Sequence, residues 1–254
     1  MTRHPVIFTG AGPGAPDLIT VRGKNALEQA DLVVYAGSLV PRALLTWAPQ
    51  AEAVNSAPLH LDEIIEWMAA AVEKGKKVVR LHTGDPSLYG AIFEQMAELD
   101  KRGMAYEVIP GVTAAVAAAA ALGLEYTLPE ITQTLILTRV SGRTKVPETE
   151  KLASLAAHGA SMAIYLSIAQ IKEVQAVIET HYGRDFSCAV AVKVSQPEER
   201  IYRVPASRLA RTVKENGVRS QALIVVSPSL NTAPGGIPCK SKLYDPEFAH
   251  ECRS

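Results

Sequence analysis

Leu61, Ile64, Ile65, Met68 and Val72 recur at the spacing of one helical face, and they predict a helix over residues 61–74. Around it, short apolar runs alternate with helical patterns. Strands are expected at 6–9, 32–35, 77–81 and 106–109, and helices at 20–30, 41–47, 88–101 and 113–122. That order is a βαβ series, which builds a mainly parallel sheet. The rhythm then changes. Strands are expected at 135–138 and 161–166, helices at 147–158, 168–182 and 206–216, and a last strand at 222–226. Between them, runs at 188–194 and 200–204 read as two strands joined by the polar turn Gln196-Pro197-Glu198-Glu199, which implies a mixed sheet. The expected organisation is therefore two α/β domains, 1–124 and 125–230, with a ligand cleft between them. An irregular tail, 231–254, carries Pro234, Gly235, Gly236 and Pro238.

Three strands end in glycine-bearing loops. Gly10-Ala11-Gly12-Pro13-Gly14 follows the first strand, Gly84-Asp85-Pro86 the strand at 77–81, and Pro110-Gly111-Val112-Thr113 the strand at 106–109. Ligands of open α/β sheets collect at the carboxyl ends of strands. Three such loops imply one ligand held largely by backbone groups. Gly10-x-Gly12-x-x-Ala15 fits the loose dinucleotide fingerprint. Pro13, Pro16 and Asp17 nevertheless delay the helix that should open at the glycines, and no acidic residue closes the second strand at Tyr35-Ala36-Gly37.

Composition narrows the class. The 254 residues are 48% hydrophobic, which fits packed domains and argues against disorder. Lys+Arg and Asp+Glu balance at 26 each, so no basic field points to nucleic acid. Cys188, Cys239 and Cys252 form neither a C-x-x-C pair nor a metal-ligand spacing, and their odd number favours a reducing compartment. The opening residues lack the apolar core of a signal peptide, and the longest apolar run, 112–122, is too short to span a bilayer. A cytoplasmic protein with no membrane or nucleic-acid partner is expected, with no bound metal.

Taken together, the sequence resembles the tetrapyrrole (corrin/porphyrin) methyltransferase family, whose members use S-adenosyl-L-methionine. The resemblance rests on the glycine loop with Asp17-Leu18-Ile19-Thr20, on Ala30-Asp31-Leu32-Val33-Val34-Tyr35, on Gly84-Asp85-Pro86, and on Pro110-Gly111-Val112-Thr113-Ala114 in that order. A subgroup with a corrin-ring substrate is indicated by His82-Thr83-Gly84-Asp85-Pro86-Ser87-Leu88-Tyr89-Gly90-Ala91, by the stretch 132–139, and by Gly142-Arg143-Thr144 with Val146-Pro147-Glu148. Relatives that methylate uroporphyrinogen carry an acidic residue where this chain has Tyr35-Ala36-Gly37-Ser38-Leu39-Val40. They also carry a lysine where it has Ser56-Ala57-Pro58-Leu59-His60, so their acid/base pair does not transfer.

The resemblance implies a homodimer and a cofactor held by Pro13, Gly84, Asp85, Leu88, Thr113, Ala114, Leu166, Val194 and Ala222. Asp85 could balance the cofactor's charge or simply form the turn. Methyl transfer to an electron-rich tetrapyrrole carbon needs alignment more than a strong base. Tyr89, His82 and His60 are candidates for any proton transfer. The substrate's acetate and propionate groups suit Arg139 and Arg143, because a guanidinium pairs with carboxylates through two parallel bonds. Rival readings are another tetrapyrrole methyltransferase such as one acting on uroporphyrinogen-III, a dinucleotide-dependent oxidoreductase, a non-enzymatic tetrapyrrole carrier, and the diphthine or ribosomal RNA methyltransferases that share the fold.

Overall fold

The computed structural model describes residues 4–232 and residue 241. It divides into two compact units. The first is Met1–Ala117 together with Lys193–Pro197, and the second is Ala118–Val192 with Glu198–Ser254. The division falls earlier than residue 124, and the return of Lys193–Pro197 to the first unit has no counterpart in the sequence pattern. Most of the tail, with Cys239 and Cys252, lies outside the described residues.

The first unit is built from β1 (Val6–Gly10), α1 (Val21–Glu28), β2 (Leu32–Tyr35), β3 (Glu52–Asn55), α2 (Leu61–Glu73), β4 (Val78–His82), α3 (Ile92–Lys101) and β5 (Tyr106–Ile109). The opening of α4 (Ala114–Leu122) also belongs to it. Its sheet runs β3-β2-β4-β1-β5, with every pairing parallel. Both faces are covered. Phe8, Val34 and Val78 pack with Ile65, Met68 and Val72 of α2 and Leu99 of α3, while Val33, Tyr35 and Leu81 pack with Leu27 and Leu44. Burial on both faces explains why β2 reads as a continuous apolar run instead of an alternating one, and it leaves Arg80 and His82 of β4 buried.

Two boundaries depart from the expectation. The helix expected from 88 starts only at Ile92, because Tyr89 and Ala91 hold left-handed backbone at φ 56° and 48°. No strand was expected at β3. Its Glu52, Ala53 and Asn55 are exposed, so no apolar alternation marks it, and only pairing with β2 defines it.

The second unit contains β6 (Leu135–Arg139), α5 (Leu152–Ala156), β7 (Ser161–Tyr165), α6 (Ile171–His181), β8 (Ser187–Val192), β9 (Arg200–Pro205), α7 (Leu209–Glu215) and β10 (Ala222–Val226). Its sheet is mixed, in the order β6-β7-β10-β8-β9, with β6 and β7 parallel and the other pairings antiparallel. Met162, Ile164, Val190 and Ile224 pack with Leu152, Val174, Ile178 and Leu209 in one core. The helix expected over 147–158 resolves into a 3-10 turn, Glu148–Glu150, and the short α5, because the Lys151 backbone between them is extended rather than helical, at φ −56° and ψ 141°. The strand expected over 188–194 ends at Val192, where the chain leaves for the first unit.

Candidate functional site

In the first unit β1 lies between β4 and β5, so the three glycine loops leave three adjacent strands. They are joined backbone to backbone. Ala11 N–H donates to the His82 carbonyl at 2.7 Å, Gly84 N–H to the Gly12 carbonyl at 2.8 Å, and Gly12 N–H back to the Gly84 carbonyl at 3.2 Å. A Cβ at Gly10 would lie 2.6 Å from the Gly111 Cα, and one at Gly111 would lie 2.8 Å from the Gly10 Cα, both overlapping the Gly84 carbonyl. Only glycine permits that approach. The expected convergence of the three loops is present.

Asp85 fastens two of them. Its Oδ2 accepts the Gly111 N–H at 2.8 Å, and its Oδ1 accepts the Ser87 N–H at 2.8 Å together with the Ser87 hydroxyl. Burial pushes its carboxyl up, but the bonds from the Ser87 hydroxyl, the Gly111 N–H and the Ser87 N–H outweigh burial and hold it below the ordinary carboxylate range. Pro13 and Gly84 are buried, whereas Leu88, Thr113 and Ala114 are half-buried. Left-handed backbone at Tyr89 and Ala91 stores strain of about 1 kcal/mol or more each beside these loops.

The three proton-transfer candidates stand in different surroundings. His82 is buried against Phe8, with ring centroids 6.0 Å apart, and among the described residues its Nε2 has no hydrogen-bond partner. Burial and the nearby Arg80 charge push its pKa down to about 3, so it is neutral across the physiological range. Arg80 is itself buried and donates to Gln95 Oε1 at 2.9 Å and the Val34 carbonyl at 3.1 Å. Burial lowers its pKa to about 10, which still leaves it charged at neutral pH. His60 is exposed at the start of α2, where its backbone N–H donates to Glu63 Oε2 at 2.7 Å. Tyr89 is 44% exposed.

In the second unit the parallel pair β6 and β7 brings Arg139 beside Tyr165, one residue before Leu166. Antiparallel β10 starts with Ala222 at that same end of the sheet. Arg139, Leu166 and Ala222 therefore share one sheet end. Leu166 is left-handed at φ 52° and 64% exposed. Arg139 directs three of its five N–H donors at the loop that follows it, reaching the carbonyls of Val140 at 3.3 Å, Thr144 at 2.9 Å and Lys145 at 3.3 Å. Arg143 is exposed in the turn that Gly142 N–H closes onto the Thr144 carbonyl at 3.2 Å. Val194 is buried in the returning segment of the first unit.

Two residues that brace the glycine loop were missed. Trp47 Nε1 donates to the Pro16 carbonyl at 3.1 Å, and Ser195 Oγ accepts the Ala15 N–H at 3.0 Å. Trp47 carried a signal as one of the chain's two tryptophans, at the end of the expected helix 41–47. Ser195 carried none, since a serine in a turn is ordinary. Among the described residues no group of three His, Cys, Asp or Glu side chains could hold a metal ion.

A parallel sheet with a glycine cradle across three adjacent strand ends, followed by a mixed-sheet unit, defines a two-sheet α/β protein whose converging loops are lined by backbone. The family model described as tetrapyrrole (corrin/porphyrin) methylases matches residues 5–210, and the chain belongs to that family. It is 50% identical over 250 residues to a cobalt-precorrin-4 C(11)-methyltransferase of Methanocaldococcus jannaschii, covering 98% of this chain and 95% of that one. It is 46% identical over 245 residues to a precorrin-4 C(11)-methyltransferase of Pseudomonas aeruginosa, covering 96% and 97%. A crystal structure of a cobalt precorrin-4 methyltransferase superposes with TM-score 0.84 at 44% identity, covering 88% and 95%. A uroporphyrin-III C-methyltransferase of Thermus thermophilus complexed with S-adenosylhomocysteine superposes with TM-score 0.72 at 25% identity, covering 92% and 97%.

Proposed function

We propose that this chain transfers a methyl group from S-adenosyl-L-methionine to carbon 11 of precorrin-4 or its cobalt-containing form, as a step in corrin-ring synthesis. The observation that carries the reading is the glycine cradle of Gly10, Gly84 and Gly111, fixed by the Asp85 carboxylate, in a chain half identical to a methyltransferase of that name. The cradle fits the cofactor because it offers backbone rather than side chains at the loop surface, leaving room for a large ligand. When bound, the cofactor supplies an electrophilic methyl on a sulfonium.

The chain's own residues have simple tasks in this reading. The loops carrying Pro13, Gly84, Leu88, Thr113, Ala114 and Val194 shape and orient the ligand, and close positioning can contribute about 7–11 kcal/mol to such a displacement. Asp85 acts by holding Gly111 in place. Leu166 and Ala222 are offered as further contacts, and an exposed left-handed leucine is the kind of strained position that function retains. Arg143 and Arg139 receive peripheral carboxylates of the tetrapyrrole. His82, neutral at working pH and buried, is a weak proton acceptor and serves poorly as a base. Tyr89 and His60 remain the solvent-reaching candidates for proton transfer.

The reading further includes a cytoplasmic homodimer that binds neither nucleic acid nor membrane. The balanced charge supports the lack of a nucleic-acid partner, the homodimer rests on the family resemblance, and among the described residues no helix is long and apolar enough to cross a membrane.

Calorimetric titration with S-adenosylhomocysteine and with NAD(P) tests the cofactor, and mass and NMR analysis of product from metal-free and cobalt-containing substrate tests the reaction. Tight NAD(P) binding without S-adenosylhomocysteine binding would favour an oxidoreductase. Macrocycle binding without transfer of a labelled methyl would favour a carrier.

A further inference from the structure

The segment Lys193–Pro197 follows β8 in the chain yet belongs to the first unit. Within that unit Ser195 Oγ accepts the Ala15 N–H at 3.0 Å, across a sequence separation of 180. Gly14, at φ 153°, lies directly against the Gln196 side chain, which a Cβ there would overlap. Val194 is buried beside them, and Gln196 N–H closes the turn onto the Lys193 carbonyl at 3.0 Å. The turn holds two non-glycine residues in left-handed backbone, Lys193 at φ 48° and Ser195 at φ 65°. What the strained turn achieves is the placement of a hydroxyl on the Ala15 amide and of a side chain behind Gly14.

We propose that Ser195 is a positioning residue that straps the Gly12–Ala15 loop into the shape that receives the cofactor. The inference rests on the methyltransferase reading above. Without this acceptor the Ala15 N–H turns to water, and the loop must be ordered anew by each ligand it binds. Preorganisation of this sort shows up in affinity.

Two substitutions separate positioning from fold. Ser195→Gly suits φ 65° better than serine does but removes the acceptor. It should unfold no earlier than the parent, exchange the Ala15 amide faster, and bind S-adenosylhomocysteine about three- to tenfold more weakly, the value of one hydrogen bond. Ser195→Thr keeps the hydroxyl while its branched Cβ is penalised in left-handed backbone. It should lose stability yet keep near-parent affinity. Unchanged affinity in Ser195→Gly would overturn the strap while leaving the methyltransferase reading intact, as would affinity that tracks melting temperature in both variants. Failure of the parent protein to bind S-adenosylhomocysteine would overturn both.

Discussion

The Asp85 carboxylate accepts the Gly111 backbone N–H at 2.8 Å, tying the loop after β4 to the loop after β5. An acidic side chain at a cofactor site invites a direct role against the ligand's charge. Here its oxygens are occupied by Gly111 and Ser87, and the effect is to hold two glycine loops at a fixed spacing.

Asp85→Ala should therefore weaken S-adenosylhomocysteine binding by about ten- to a hundredfold, the cost of removing a charged acceptor from backbone donors. Asp85→Asn keeps an oxygen for Gly111 and should lose less. Calorimetry on both variants checks this, and parent-like affinity in Asp85→Ala would remove the loop tie from the account.

Gly111→Ala and Gly84→Ala should differ in kind. At Gly111 the new Cβ meets backbone on two sides, so overpacking of about 1–3 kcal/mol should appear in the melting curve. Gly84 has room, with its nearest neighbour, the Thr113 Cα, 3.7 Å away, but it stands at φ 60°. Its alanine variant should lose only the left-handed cost of about 1 kcal/mol. Gly84→Val and Thr113→Trp should reduce cofactor affinity further, because their bulk enters the loop surface. Equal melting temperatures for the two alanine variants would contradict the close approach at Gly111.

Acid should expose His82. Its folded pKa of about 3 lies below the ordinary histidine value of 6.5, so the unfolded chain takes up the proton first. Its stabilising contribution is complete above pH 6.5 and is lost progressively as pH falls toward 3. Between pH 6.5 and 4.5 the loss should be about 2–3 kcal/mol. Asp85, whose carboxyl is held low, adds its own loss as pH falls through its folded value. Urea melts of the parent and of His82→Leu across this range decide the matter, and the variant should show the shallower slope.

Replacing Arg139 and Arg143 should weaken the tetrapyrrole and spare the cofactor. Arg143→Ala should cost on the order of 2–3 kcal/mol in kcat/KM for one charged contact, and Arg143→Lys, which lacks the planar fork, should stay impaired. Arg139→Ala should also free the loop it clamps, and trypsin should then cut at Arg143 or Lys145 faster. Parent-like kcat/KM in every variant would make both arginines ordinary surface residues.

Local pattern alone determined much of this protein. The face of α2 that buries Ile64, Ile65, Met68 and Val72, the apolar run of β2, and the glycines at strand ends each follow from short-range spacing, and together they gave the parallel sheet and its cradle. Periodicity reports burial, and burial on two faces is what a parallel strand undergoes. The mixed second sheet was likewise legible, since two strands met without a helix between them.

What tertiary structure alone decided lies in contacts across long separations. Strand β3 exists because β2 offers it an edge, not because Glu52–Asn55 carry a strand pattern. Asp85 was readable as a turn former, but its capture of Gly111 needed β4 and β5 brought to either side of β1. Arg139 looked like a free cation, whereas the folded loop turns three carbonyls toward it. Ser195 gave no signal at all, because its partner Ala15 is 180 residues away. A hydrogen bond between distant segments leaves no periodic trace in either one, so such contacts emerge only when the sheets assemble.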